Sequence, residues 1–135
     1  MRCPSTTIIS ACACAFVLTV GVAAQNPGGN PDAKKMKNPV ASSPESIKAG
    51  QALYQKNCRF CHGTDAKGNG PMAPEGTHPS NLVDAKWDRG DSDGEIFVVI
   101  RDGAGPKFDM KGYKSKMTET EIWNIVNFLR SVGTK

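Results

Sequence analysis

The chain has 135 residues, with 17 lysines and arginines against 13 aspartates and glutamates and a net charge of +4. This length suits one domain with a leader or a tail. So mild a charge argues against a nucleic-acid-binding protein, and it leaves the other function classes open.

The first 24 residues have the pattern of a secretory signal peptide. Arg2 supplies a positive start, residues 6–22 carry no charge, and small residues precede a polar glutamine. We predict export, with cleavage after Ala24. The apolar run is at the lower limit for crossing a bilayer, so a retained membrane anchor is the less favoured alternative. A lipoprotein is a third alternative, because residues 9–12 resemble a lipobox, although most of the apolar run follows Cys12.

Removal of this leader leaves two of the five cysteines, Cys58 and Cys61, and lowers the net charge from +4 to +3 through loss of Arg2. No disulfide framework is predicted for the exported chain.

Residues 25–42 are rich in Gly, Pro, Asn and Lys and have no apolar period. Segments of this composition are usually flexible. We therefore predict a disordered tether with no function beyond spacing, followed by one domain over residues 43–135.

Three segments of that domain carry helix start signals. The first helix begins at the N-cap Ser43, has a proline at its first position and continues to about Asn57. Two capping boxes, Ser92 to Glu95 and Thr118 to Glu121, start the other two helices. Glycines 103 and 133 stand just beyond the ends of these helices. No alternating strand pattern of useful length occurs, so the predicted fold class is all-α.

The connection over residues 63–91 is rich in Gly, Pro, Asn and Asp. A structureless loop of this length is uncommon in a compact domain. Three short helices also supply little apolar core. Both observations indicate that the loop wraps a large cofactor rather than other polypeptide.

Cys58-Arg59-Phe60-Cys61-His62 is the attachment pattern of c-type haem. Two thiols three residues apart at a helix end can form thioethers to both vinyl groups of one porphyrin, and the next residue presents an imidazole to the iron. The alternatives are a redox-active dithiol and half of a zinc site. The first usually accompanies a strand–helix pattern, and the second needs four ligands, for which only His78 remains.

A group of residues along the domain resembles the soluble, single-haem class I cytochromes c over about residues 43–133. These residues are Gly50, Tyr54, Cys58-Cys61-His62, Gly70-Pro71, Met110 and Phe128-Leu129. The resemblance implies a cytochrome c fold, in which three main helices and long loops wrap around one covalently bound haem. It also implies that Gly50 and Tyr54 pack the first helix against Ile125, Phe128 and Leu129 of the last.

The resemblance further implies that His62 and a methionine are the axial iron ligands. Met110 lies in the glycine-rich loop where the family places this ligand, and a thioether ligand raises the reduction potential. The other methionines fit less well. Met36 lies in the tether, Met72 is too close to His62, and Met117 occupies a hydrophobic-staple position before the third helix.

The resemblance also predicts a hydrogen-bond acceptor for the ring of His62. A metal-bound histidine usually donates its other ring N–H to a carbonyl. The family uses a proline carbonyl, for which Pro71 is the best match, ahead of Pro74 and Pro79. His78 is an alternative axial ligand, but a solvent-exposed position in the loop is the favoured interpretation. Trp87 and Trp123 can cover the haem or donate to a propionate, although core packing is the commoner role.

These features predict a single-electron carrier, and no enzyme, in an exported respiratory or dehydrogenase-linked chain. We expect a periplasmic monomer whose redox partner is acidic at a docking face of four lysines, Lys107, Lys111, Lys114 and Lys116. A solvated loop is the alternative for these lysines. Two other functions remain open: an enzyme or gas sensor with an open iron site, and a dedicated subunit of a larger dehydrogenase or oxidase.

Overall fold

The computed structural model describes residues 29–105 and 110–133. The described elements are mostly helical, which confirms the predicted fold class. In chain order they are a 3-10 helix Ala33–Lys35, α1 Pro44–Asn57, α2 Arg59–His62, α3 Asp93–Asp102, β1 Gly103–Ala104, β2 Met110–Lys111 and α4 Glu119–Val132. The predicted signal peptide lies outside the described residues. Within the described ranges, no helix is both long enough and apolar enough to cross a membrane.

The predicted caps start the three main helices. The Ser43 side chain accepts a hydrogen bond from the backbone N–H of Ser46, with Pro44 at the first position of α1. Both capping boxes are closed, by Ser92 and Glu95 before α3 and by Thr118 and Glu121 before α4. Local polar chemistry therefore sets where these helices begin.

α1 packs closely along α4, as the resemblance implied. A Cβ at Gly50 would collide with the backbone carbonyl of Asn124, so only glycine permits this approach. One turn later, the fully buried Tyr54 ring lies 5.2 Å from the Phe128 ring, centroid to centroid. The crossing fixes the end of α1, and the attachment motif follows directly.

α3 packs against α4 through a pair of stacked aromatic rings. Phe97 and Trp123 lie 4.1 Å apart, centroid to centroid, with an interplanar angle of 11°. Trp123 is buried in this core, the commoner of the two roles considered for it. α3 also lines a cavity, through Ile96, Val99 and Ile100. The helix therefore lies between the core and that cavity.

Residues 29–42 are the described part of the tether predicted over residues 25–42, and the structure corrects the prediction of disorder for them. This segment is folded against the domain, and we call it the N-terminal strap. Ala33 is buried against α3, where a Cβ at Gly94 would meet the Ala33 carbonyl. The side chain of Asn38 donates to that of Asn127 in α4 at 2.8 Å. The polar composition of the strap suggested solvation, but Asn30 and Asn38 are hydrogen-bonded to Glu95 and Asn127, far away in the sequence.

Candidate haem site

A cavity of about 850 Å³ lies between the end of α1, α3, β2 and the long loop before α3. Its volume falls in the upper part of the range typical of small-molecule and cofactor sites. Two groups of predicted site residues line the same cavity. They are Cys58, Cys61 and His62 from the attachment motif, and Met110 from β2. The structure thus brings together the residues expected to bind one haem.

The attachment motif forms a short helix at the cavity. Cys58 caps both the end of α1 and the start of α2, and Cys61 follows one helical turn later. Residues three apart on a helix share a face, so both sulfurs can reach one ligand. The two sulfurs are not joined in a disulfide. Burial, and next the neighbouring Cys61, raise the pKa of the Cys58 thiol to about 12.

His62 ends α2, is buried and is fixed by a hydrogen bond. Its Nδ1 lies 3.1 Å from the Ser80 carbonyl oxygen. A carbonyl can only accept, so Nδ1 carries the proton and Nε2 keeps the lone pair that a metal needs. Burial lowers the pKa of His62, and the bond to Ser80 raises it in part. The net direction is downward, which favours the neutral imidazole that acts as a ligand.

The acceptor for His62 was predicted wrongly as Pro71. Pro71 is exposed, and its neighbours bind the backbone of the attachment motif instead. Gly70 donates to the Cys61 carbonyl at 3.0 Å, and Met72 donates to the Phe60 carbonyl at 2.8 Å. The backbone on either side of Pro71 is therefore bonded to the attachment motif, and the loop reaches the His62 ring at Ser80.

The long loop is ordered by its own backbone bonds. Gly68 donates to the His62 carbonyl and Leu82 donates to the Ala66 carbonyl, both at 2.8 Å. Residues 74–80 and 87–90 of this loop line the cavity, in agreement with the expectation that it wraps a cofactor. Trp87 is among the lining residues, but its indole N–H donates to the Asp84 carbonyl at 3.1 Å.

Met110 is held beside α3 by a short antiparallel ladder that the sequence analysis missed. Gly103 pairs with Lys111, and Ala104 pairs with Met110. Gly103 has φ +91°, and a Cβ there would lie 2.6 Å from the Met110 carbonyl. Strands of two residues are too short to give an alternating pattern. The glycines were the available signal, because close backbone approach requires them.

Among the methionines of the described residues, Met110 alone lines the cavity. Met72 is 66% exposed and Met36 is 37% exposed. Met117 is buried in the core with Ile122, in keeping with its predicted staple position. His78 is exposed, as expected, yet it also lines the cavity, so it stays an alternative ligand.

Three of the four predicted docking lysines lie on the surface next to the cavity wall. Lys111, Lys114 and Lys116 are exposed, and Lys107 lies outside the described residues. The Lys114 ammonium is 3.9 Å from the Asp102 carboxylate, and 73% of its side chain is exposed. A pair so exposed on the lysine side is weak, so Lys114 stays accessible to a partner.

Comparison with known proteins identifies the family. Residues 45–129 match the family model described as "Cytochrome C oxidase, cbb3-type, subunit III". The chain belongs to this family of class I c-type cytochrome domains. Its cofactor is therefore covalently bound haem c with iron, and the thiols and imidazole that line the cavity are the donor set that this group requires.

Individual relatives agree with this assignment. The cbb3-type cytochrome c oxidase subunit FixPc of Rhizobium leguminosarum bv. viciae is 33% identical over 96 residues, which cover 68% of this chain and 30% of the relative. The cytochrome cL of Methylophaga aminisulfidivorans is 30% identical with a TM-score of 0.56, over 67% of this chain and 55% of that one. A chain of the Kuenenia stuttgartiensis reducing HAO-like complex has a TM-score of 0.63 at 21% identity, over 73% of this chain and 50% of that one, and shows the fold alone.

The chain spans less than a third of the length of the curated relatives it matches. The family match therefore concerns the c-type haem domain alone, and this domain occurs in electron-transfer proteins.

Proposed function

We propose that this cytochrome is a single-electron carrier of an exported respiratory or dehydrogenase-linked chain, with His62 and Met110 as axial iron ligands. The observation that carries the proposal is that Met110 and His62 line the same cavity as the two attachment cysteines. Met110 is the one methionine in the described residues that does so. A histidine and a methionine are the axial pair typical of electron-carrying cytochromes c.

The bound haem iron supplies a one-electron Fe(II)/Fe(III) couple. The protein's part is to hold the ligands and exclude water. The Ser80 carbonyl orients His62, and the ladder to β1 holds Met110. The apolar side chains of Ile96, Val99 and Leu129 line the same cavity, and such a lining restricts solvent access and tunes the reduction potential. A ligand set that stays in place during the redox change favours electron transfer without transformation of a substrate.

A potentiometric titration of the haem-loaded protein tests this proposal. We expect a single one-electron transition for the wild type and a lower midpoint potential for Met110→Ala, because the thioether stabilises Fe(II). Met72→Ala is the matched control, since Met72 is exposed and lies outside the cavity lining. An unchanged potential in Met110→Ala, or fast wild-type turnover with peroxide, would contradict the carrier function and favour an open iron site.

We further propose that Lys107, Lys111, Lys114 and Lys116 form a docking face for an acidic redox partner. Three of them are exposed beside the segment that carries Met110, so an electrostatically guided partner would meet the protein close to the haem. Replacing Lys111 and Lys114 with Glu is expected to slow reduction by an acidic partner about tenfold at low salt. The same charge change at Lys48 and Lys86, also exposed, is the control. If both double variants slow reduction equally, the effect comes from net charge alone and the docking face is contradicted.

The chain's location is proposed from its leader. Expression of the full sequence in a Gram-negative host that attaches haem should give a periplasmic protein whose first residue is Gln25. We expect it to be a monomer without a retained anchor. Mass spectrometry of the intact protein tests the cleavage, and a membrane-bound product retaining residues 1–24 would contradict it. A relative's membership of an oxidase makes a subunit role the alternative to a free shuttle.

A further inference from the structure

The segment that carries Met110 is attached to the end of α3 by few bonds. β2 pairs with β1, and the backbone N–H groups of Tyr113 and Lys114 donate to the carbonyls of Ile100 and Arg101 at 3.0 and 3.1 Å. A two-stranded ladder of this size is weak by itself. All of these bonds lie toward α3, so they do not connect the segment with the attachment motif.

The side chain of Tyr113 makes that connection. Its hydroxyl donates to the Asn57 carbonyl at 3.0 Å, across 56 residues of sequence. Asn57 is the last residue of α1, where helix carbonyls lack an intrahelical N–H partner. It is also the residue directly before Cys58. One hydroxyl therefore joins the segment of the predicted methionine ligand to the segment that carries the cysteines and His62.

Tyr113 also forms part of the cavity wall. Tyr113 lines the cavity together with Met110 and Cys58. Its carbonyl accepts the N–H groups of Lys116 and Met117 at 2.8 and 2.9 Å, just before α4. The residue thus stands where the end of α1, β2 and the start of α4 meet. Movement of Met110 away from the cavity is expected to break the hydrogen bond from Tyr113 to Asn57.

We propose that Tyr113 is a positioning residue that keeps Met110 at the iron by tying β2 to the end of α1. The proposal rests on the His62/Met110 ligation proposed above. An external ligand reaches the sixth position only after Met110 has left, so its apparent affinity reports the fraction of protein in that open state. A hydrogen bond of ordinary net strength changes such an equilibrium roughly fivefold.

Imidazole titration of the ferric, haem-loaded protein measures this fraction. We expect Tyr113→Phe to bind imidazole about fivefold more tightly than the wild type. Tyr54→Phe is the matched control, because that buried hydroxyl donates to the Gly63 carbonyl at 2.7 Å, within the segment of the His62 side. Both variants should lose stability to urea, but only Tyr113→Phe should change the imidazole affinity.

Equal imidazole affinity in Tyr113→Phe and wild type would overturn the proposal. Equal tightening in both variants would also overturn it, since the effect would then follow general stability. A wild type without methionine–iron ligation refutes the ligation itself, which separates that failure from the failure of Tyr113 alone. If the Tyr113→Phe protein is recovered without haem, proton NMR of the ferrous wild type replaces the titration as the test of the tie. A nuclear Overhauser contact between the Tyr113 ring and Asn57 supports the tie, and its absence refutes it.

Discussion

The backbone N–H of Asn30 donates a hydrogen bond to the Glu95 carboxylate at 3.0 Å, although 65 residues separate the two. The other carboxylate oxygen accepts from the N–H and the hydroxyl of Ser92, at 3.0 and 2.6 Å. One buried glutamate therefore closes the capping box of α3 and holds the N-terminal strap. Because α3 lines the haem cavity, the strap is attached to a wall of the site.

Glu95→Gln should destabilise the fold at neutral pH by about 1–2 kcal/mol, through loss of charged hydrogen bonds. Burial alone would raise the pKa of Glu95, but hydrogen bonds from Ser92 and Asn30 together with Lys34 lower it overall. The ionised form therefore stabilises the folded state above the ordinary value of 4.5, and this contribution disappears as the pH falls through the lower folded value. Urea unfolding at about pH 7 and about pH 3 checks this.

The stability difference between wild type and Glu95→Gln should shrink at the lower pH. Glu121→Gln is the control for the strap, because Glu121 closes the other capping box without holding the strap. The hydrogen bonds from Thr118 lower the pKa of Glu121 too, so its stability difference should also shrink with pH but should be smaller. An equal difference at both pH values would mean that the charge of Glu95 contributes nothing.

Asn127 is a buried polar centre between α4, α1 and the strap. Its side chain donates to the Ser46 hydroxyl at 2.8 Å and to the Val40 carbonyl at 3.2 Å, and it accepts from Asn38. Asn127→Leu leaves these partners unsatisfied, so we expect a loss of about 2–3 kcal/mol in the free energy of unfolding. Thermal or urea unfolding measures it, and Thr120→Leu on the exposed face of α4 is the control. A loss no larger than that of the control would show that the strap is not coupled to the core.

Gly50→Ala tests the crossing of α1 and α4. Alanine raises helix propensity by about 1 kcal/mol over glycine, which alone would stabilise α1. The added Cβ, however, would collide with the Asn124 carbonyl and press on Phe128. We expect net destabilisation of about 1–3 kcal/mol, as for other overpacked sites. Gln51→Ala, exposed on the same helix, should be nearly neutral. A more stable Gly50→Ala protein would contradict the close approach.

Replacing the Pro71–Met72 amide with an ester, which weakens the Pro71 carbonyl as an acceptor, should leave the reduction potential unchanged, because Pro71 is exposed and the His62 ring binds the Ser80 carbonyl. The same replacement of the Ser80–Asn81 amide weakens the acceptor of His62 and should raise the potential, since a histidine with a weaker bond here is a weaker donor to the iron. Protein-film voltammetry of both proteins provides the measurement. A shift with the Pro71 ester and none with the Ser80 ester would restore Pro71 as the acceptor.

The helices and the attachment motif were predictable because their signals are local. Ser92 and Glu95, or Cys58 and Cys61, act on neighbours within one helical turn. The acceptor of His62 was not predictable, because every residue has a carbonyl and only the path of the loop selects Ser80. Asn30 and Asn38 lie in a stretch whose composition is typical of disorder, yet their partners are Glu95 and Asn127, far away in sequence. The role of Tyr113 likewise depends on a contact with Asn57 that no local pattern indicates.

The absorption spectrum of the ferric, haem-loaded protein tests the central claim most directly. Wild type and Met72→Ala should show the weak far-red band of methionine–iron ligation, His78→Ala should keep it, and Met110→Ala should lose it. That result establishes Met110 as the sixth ligand of a six-coordinate electron carrier. A wild type without the band, or a band that survives in Met110→Ala, would contradict the account.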